Sequence, residues 1–267
     1  MNLESNKIIC IDRKMTGDNV KARLMAFIGR MAESTGGITM SWEEAQHLPN
    51  PVIVRGLTFH TAIKTMMANG RNFYYIDNGY FGNHYTKMWF RIIENHVHDI
   101  RAIMPRDRSR LERCSIITLP RKKGSKILLA PPSIKSFSIW NIYQDQWIAE
   151  TIAEIKKHTD RPIVIREKRP RWERFTEDTI EQALDDDVHC LVTYNSVAAV
   201  EAIMRGVPAI CLGPNAAAVV SSTDLAEIEN PRFPDEDLRD AWLRHLSYSQ
   251  FTFTEMSDGT AWRIINE

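Results

Sequence analysis

Asn195 and Ser196 are the two residues of this sequence whose type and position point most directly to chemistry. They follow an apolar run, Val188 to Thr193, and open a stretch of helical spacing, Ser196 to Met204, which Gly206 stops. In a parallel α/β sheet, ligands lie where a strand's carboxyl end turns into a helix. Asn or Ser at such a turn caps the helix, and the first free N–H groups with the helix dipole attract an anion. Thr193, Asn195 and Ser196 are therefore candidate contacts for nucleotide phosphates, against the plainer reading that Asn-Ser only caps a helix. Two neighbours favour a ligand. Glu201 lies among small apolar residues, where a lone carboxylate is costly without a partner. Ribose hydroxyls would serve, as would Arg205 or a backbone N–H. Arg166 ends the run Ile163-Val164-Ile165 and offers a guanidinium able to grip phosphate in bidentate fashion, with Lys168 and Arg169 beside it. Gly213, Pro214 and Asn215 follow the next apolar run and would line the same crevice.

The elements that must position these residues are legible from Lys126 onward. Lys126 to Ala130 reads as a buried strand closed by Pro131-Pro132, and Tyr143 to Lys157 as a helix with Trp147, Ile148, Ile152 and Ile155 on one side. Pro162 to Arg166, Val188 to Thr193 and Val207 to Leu212 read as strands, with a helix from Glu177 to Leu184 between the first two. This alternation builds a parallel sheet covered on both faces. The first half shows short strand-like runs at Ile8 to Ile11, Val52 to Val54 and Phe73 to Ile76, with a helix over Thr58 to Ala68, and implies another small α/β layer. Arg101 to Gly124 is charged and poor in large apolar side chains, so the expected division is residues 1–119 and residues 120–267. The tail, Leu238 to Ile265, reads as helical and is expected to pack back on the first lobe.

Composition sets the class. The chain has 267 residues, 43% hydrophobic and 25% charged, the balance of a folded globular protein. No apolar run approaches the ~18 residues of a membrane span, and no leader segment is evident, so a cytoplasmic protein with no membrane partner is expected. Cys10, Cys114, Cys190 and Cys211 are far apart and suggest neither disulfides nor zinc. Net charge is zero but unevenly spread: Lys87 to Lys126 holds eleven cations against four anions, and Glu177 to Asp187 and Asp224 to Asp240 are acidic. Such runs are either a polyanion surface or simply solvated. Asp185-Asp186-Asp187 resembles a metal-binding DxD, but it precedes its strand and falls at the edge opposite the crevice, so no metal site is expected. Neither GxGxxG nor GxxxxGK[ST] occurs, which excludes the dinucleotide fingerprint and the P-loop.

The segment Val192 to Gly213 resembles the donor-site region of GT-B glycosyltransferases, closest to capsule polysaccharide and Kdo transferases, in which an Asn-Ser or Thr-Ser turn, a helical Glu and Gly-x-Pro precede a strand. Over nearly its full length the chain is similar to a family of phage proteins associated with glycosylation of hydroxymethylated pyrimidines in DNA, through Phe73 to Gly82, Asp187 to Ser196, Gly213 to Ala217, Leu246 to Thr252 and Gly259 to Trp262. The resemblance implies a GT-B-like α/β fold of two Rossmann-like lobes. It also implies a nucleotide-sugar donor, UDP-glucose foremost, held by Asn195, Ser196, Glu201 and Arg166, with no tightly bound cofactor. The acceptor would be double-stranded phage DNA carrying 5-hydroxymethylcytosine or 5-hydroxymethyluracil; a capsule- or lipid-directed transferase and a non-enzymatic nucleic-acid-binding protein are the alternatives. The chain is short for the fold and lacks the plant-type donor box. An inverting transfer needs a general base. Asp77, before Asn78-Gly79, and His60 are the candidates, although Asp-Asn-Gly is also ordinary turn chemistry and a lone His is often structural. Arg55, Asn78, Tyr80, Phe81, Lys87, Trp89 and Arg91, with His84 and Tyr85, mix aromatic and basic groups as a DNA-facing surface would. Trp89 and Phe90 as core is the alternative.

Overall fold

The computed structural model describes residues 7–11, 29, 35–82, 89–168 and 179–267. The chain divides into two compact units, residues 1–97 with 247–267, and residues 98–246. Segment 98–119, placed with the first lobe on sequence grounds, groups with the second unit. Its charged side chains do not mark a linker: Leu111 and Arg110 are buried, Leu119 N–H bonds the Met204 carbonyl at 2.8 Å, and Arg244 donates to the Arg106 carbonyl at 2.9 Å.

In the first unit, β1 (Ile9–Ile11), β2 (Ile38–Met40), β3 (Val52–Arg55) and β4 (Phe73–Asn78) run parallel, with β1 between β2 and β3 and β4 beside β3. β5 (Phe90–Glu94) is antiparallel to β4. Its sequence, Phe-Arg-Ile-Ile-Glu, hides a strand behind a basic neighbourhood, and only pairing with β4 makes it one. Helix α1 (His60–Ala68) follows β3 through a 3-10 turn, Leu57–Phe59, as the apolar spacing of Ala62, Ile63 and Met66 requires.

The second unit realises the expected alternation. Its elements are β6 (Lys126–Leu129), α2 (Ile134–Ile139), α3 (Gln144–Ile155), β7 (Ile163–Ile165), α4 (Ile180–Asp185), β8 (Val188–Thr193), α5 (Ala198–Met204) and β9 (Ala209–Cys211). The order is β7-β6-β8-β9 and every pair is parallel. Ile127, Leu129, Cys190, Val192 and Ile210 pack against Phe137, Trp147 and Ile155 on one face, and Leu128 and Leu191 are buried as well. β6, β8 and β9 are buried along nearly their whole length and need apolar runs, which is why they were visible in the sequence. The edge strand β7 leaves Val164 and Ile165 exposed, so the expected cover on both faces does not reach it. Gly206 ends α5 at φ 81°, and a Cβ there would lie 1.9 Å from the Pro120 carbonyl oxygen, so no other residue fits.

Helix α6 (Glu236–Ser247) leads out of this unit. The tail then forms β10 (Gln250–Phe251), antiparallel to β5, and two short helices, α7 (Phe253–Ser257) and α8 (Thr260–Ile265). The single helical tail expected from the sequence is thus broken by a strand: Thr252 and Glu255 form a reciprocal capping box that restarts the helix at 253, and Gly259 at φ 83° restarts it again. Phe251, Met256, Ala261 and Ile264 pack on Ile8, Ile53, Tyr74 and Phe90, and Trp262 meets Tyr74 edge-on at 5.1 Å. Among the described residues no helix is long and apolar enough to cross a membrane.

Candidate active site

The carboxyl edge of the second sheet gathers the predicted phosphate-binding residues. Thr193 closes β8; its Oγ1 donates to the Ala130 carbonyl at 2.6 Å and accepts the Ser196 N–H at 3.3 Å, so one hydroxyl ties β8 to the end of β6 and folds the turn. Ser136 of α2 donates to Asn195 Oδ1 at 3.0 Å. Asn215 Nδ2 donates to the Ser196 carbonyl at 2.9 Å, while its Oδ1 accepts the Ala217 N–H at 2.9 Å. The Gly213 N–H bonds the Tyr194 carbonyl at 3.0 Å. The turn is therefore fixed from β6, α2 and the loop after β9.

These bonds sort the candidates by what they can touch. Thr193, Asn195 and Asn215 are at most 2% exposed, so their side chains hold the turn from within. Asn195 Nδ2 is buried with no hydrogen-bond partner among the described residues. Tyr194, Ser196, Gly213 and Pro214 are half-buried. Ser196 Oγ accepts the Ala198 N–H at 3.3 Å, the local cap that its residue type implied. Arg166 stands one residue past β7, its N–H on the Leu129 carbonyl at 2.8 Å, and so belongs to the same edge. Glu201 is half-buried on α5, and the guanidinium of Arg205, a partner considered for it, is engaged by Asp185 instead. Ser136 was not foreseen: a serine in an apolar helix gives no signal until the fold sets it under Asn195.

Asp185, Asp186 and Asp187 lie at the opposite, amino edge of the sheet. Lys122 and Arg205 pair with Asp185, Lys126 with Asp186 at 2.9 Å, and Ser125 with Asp187. Arg108 likewise pairs with Asp240 at 2.5 Å. The basic middle and the acidic late segments, far apart in sequence, thus answer one another. Among the described residues no group of three or more His, Cys, Asp or Glu is arranged to hold a metal ion.

The carboxyl edge of the first sheet holds the two base candidates. Asp77 lies inside β4, not in a loop beyond it, directly across from Arg91 of β5. Its Oδ2 accepts the Tyr75 hydroxyl at 2.7 Å and faces Arg91 Nη2 at 3.6 Å, and its Oδ1 accepts the Asn78 N–H at 2.8 Å. Arg91 also donates to the Asn78 carbonyl at 2.7 Å and lies over the rings of Tyr75 at 5.5 Å and Tyr80 at 5.3 Å. Burial opposes ionisation of Asp77, but Arg91, the Tyr75 hydroxyl and the Asn78 N–H outweigh it and hold the carboxyl below its usual range. Burial and the Asp77 charge push the Tyr75 phenol well up. Asp77 is thus an engaged carboxylate of low proton affinity. His60 Nδ1 stands 3.2 Å from the Leu57 carbonyl; a proton on Nδ1 serves that contact and leaves Nε2 as an acceptor.

The predicted acceptor surface is largely interior. Tyr80, Phe81, Trp89 and Arg91 are at most 6% exposed, whereas Arg55 and Asn78 are half-buried. Gln250 of β10, itself fully buried, accepts the Tyr80 N–H at 2.9 Å and donates to the Phe81 carbonyl at 3.3 Å, pinning the loop after β4. Lys87, His84 and Tyr85, like Arg169, lie outside the described residues.

No protein-family model and no curated protein sequence matches the chain. Among solved structures, the β-Kdo 2,7 transferase of KpsC from Thermosulfurimonas dismutans is similar over 98% of this chain and 99% of that one, with a TM-score of 0.51 and 13% sequence identity. The β-Kdo 2,4 transferase of KpsC from the same organism is similar over 91% of each chain, with a TM-score of 0.45 and 10% identity. The first of these likenesses extends over the whole chain, and the fold is a mixed α/β, Rossmann-like arrangement shared with a glycosyltransferase.

Proposed function

We propose that the chain is a nucleotide-sugar-dependent glycosyltransferase whose donor binds at the carboxyl edge of the second sheet. One observation carries the reading: Arg166, the Thr193–Ser196 turn and the Gly213–Asn215 loop, 49 residues apart at their extremes, converge on that edge, and the turn is fixed by hydrogen bonds from three elements. The whole-length fold likeness to a Kdo transferase supports it. In this reading Ser196, Gly213 and Pro214 face the donor, Glu201 meets its ribose, and Thr193, Asn195 and Asn215 hold the turn behind them. Arg166 offsets the charge that develops on the leaving phosphate. In this reading His60, whose Nε2 is left as an acceptor, takes the role of base in preference to Asp77, whose oxygens are already engaged.

Two acceptor classes follow from the resemblances, hydroxymethylated double-stranded DNA with UDP-glucose and a saccharide with activated Kdo. Burial of Tyr80, Phe81 and Trp89 removes rings that the DNA reading relied on. Incubation of the purified protein with each donor and each acceptor, followed by mass spectrometry, tests the proposal. A product heavier by one sugar is expected for one pairing. Neither product nor donor binding across the panel would sink it, and salt-sensitive DNA binding without nucleotide-sugar binding would replace it with a non-enzymatic role.

A further inference from the structure

Within the turn of the proposed donor site, only some groups can reach a ligand. Thr193 and Asn215 are buried and spent on the turn and Asn195 is buried with its Oδ1 held by Ser136, whereas Tyr194 is half-buried and its hydroxyl makes no hydrogen bond among the described residues. The ring is held on its apolar side by Phe137 at 5.7 Å, Trp140 at 6.4 Å and Trp147 at 6.4 Å. Its hydroxyl end lies over Gly213: a Cβ on Gly213 would stand 2.5 Å from Tyr194 Cζ, 2.6 Å from Cε2 and 2.7 Å from Cε1. Gly213 does not have the positive φ that would demand glycine. The space taken by the phenol is the reason a side chain is excluded there.

We infer that the Tyr194 hydroxyl is a ligand-binding group of this site, donating to an oxygen of the bound nucleotide, phosphate or ribose, and that Gly213 is a positioning residue that lets the phenol reach it. The inference rests on the donor-site reading and deepens it. Burial raises the pKa of Tyr194 above its usual value, so the phenol stays protonated at neutral pH and acts as a donor. A ring locked by packing on one side and by a glycine beneath presents that donor at little cost in side-chain entropy.

Calorimetric titration of the full chain with UDP, CMP, uridine, cytidine and pyrophosphate tests it. Tyr194→Phe keeps the ring contacts, so its melting temperature without ligand should match wild type while affinity falls about three- to tenfold, the worth of one hydrogen bond. Gly213→Ala, which displaces the phenol, should lose at least as much. Loss with pyrophosphate assigns the acceptor to phosphate and loss with a nucleoside assigns it to ribose; either supports the inference. If wild type binds and both variants bind equally well, the inference falls and the donor site stands. If wild type binds none of the probes, both fall together.

Discussion

At the carboxyl end of the first sheet Asp77, Arg91 and Tyr75 form an ionised network, whereas the carboxyl end of the second sheet is held by neutral groups, Thr193, Ser136, Asn195 and Asn215. The two ends differ in how they fix geometry. In the first, register sets Asp77 opposite Arg91, and the low local dielectric makes that pair costly to break. In the second, hydroxyls and amides knit three segments without adding charge; under the proposed donor-site reading, Arg166 supplies the charge that a phosphate would meet. A neutral frame of this kind suits an anionic guest; an internally neutralised ion pair suits a rigid wall.

Replacing one partner in each network should expose the contrast. Arg91→Leu strands the Asp77 carboxylate, and denaturant unfolding should show a loss of about 3–5 kcal/mol; a loss below that of any neutral-frame variant would overturn the contrast. Thr193→Val removes a buried hydroxyl that serves Ala130 and Ser196, and about 1–3 kcal/mol should be lost in the same assay, with the parent fold retained by circular dichroism.

The smallest effect is one of pH. Asp77 titrates below its unfolded value, so its contribution is complete above the unfolded carboxylate pKa of about 4 and is lost as pH falls through the lower folded value. Acid titration of stability should therefore lose part of its slope in Asp77→Asn and none in Thr193→Val. An unchanged slope in Asp77→Asn would remove the ionised-network assignment.

The second sheet was readable because β6, β8 and β9 are buried along nearly their whole length and so appear as apolar runs, and because β6, β7 and β8 are each followed by a helix-spaced segment. The turn at 193–196 was readable for the same reason: strand end and helix start fix where such a turn must lie. β5 and β10 were not, since both are recruited by pairing with neighbours distant in the chain, Gln250 and Phe251 meeting Arg91 and Phe90. Nor was the division of labour among the site residues. Residue type placed Thr193, Asn195 and Asn215 at the edge, but burial, which depends on what packs above and below, turned their side chains inward and left Tyr194 and Ser196 facing out.

By itself the sequence determined the alternation of the second unit, the edge to which Arg166, the Thr193–Ser196 turn and the Gly213–Asn215 loop come and the acidic triplet's place at the opposite edge, because periodicity and strand direction are local properties. Only the tertiary structure decided that the basic middle pairs with the acidic late segments through Lys122, Lys126 and Arg108. It also decided that the aromatic and basic residues around β4 and β5 are mostly interior. The charge on a segment is written in its residues; what neutralises that segment is set by partners 60 to 132 residues away.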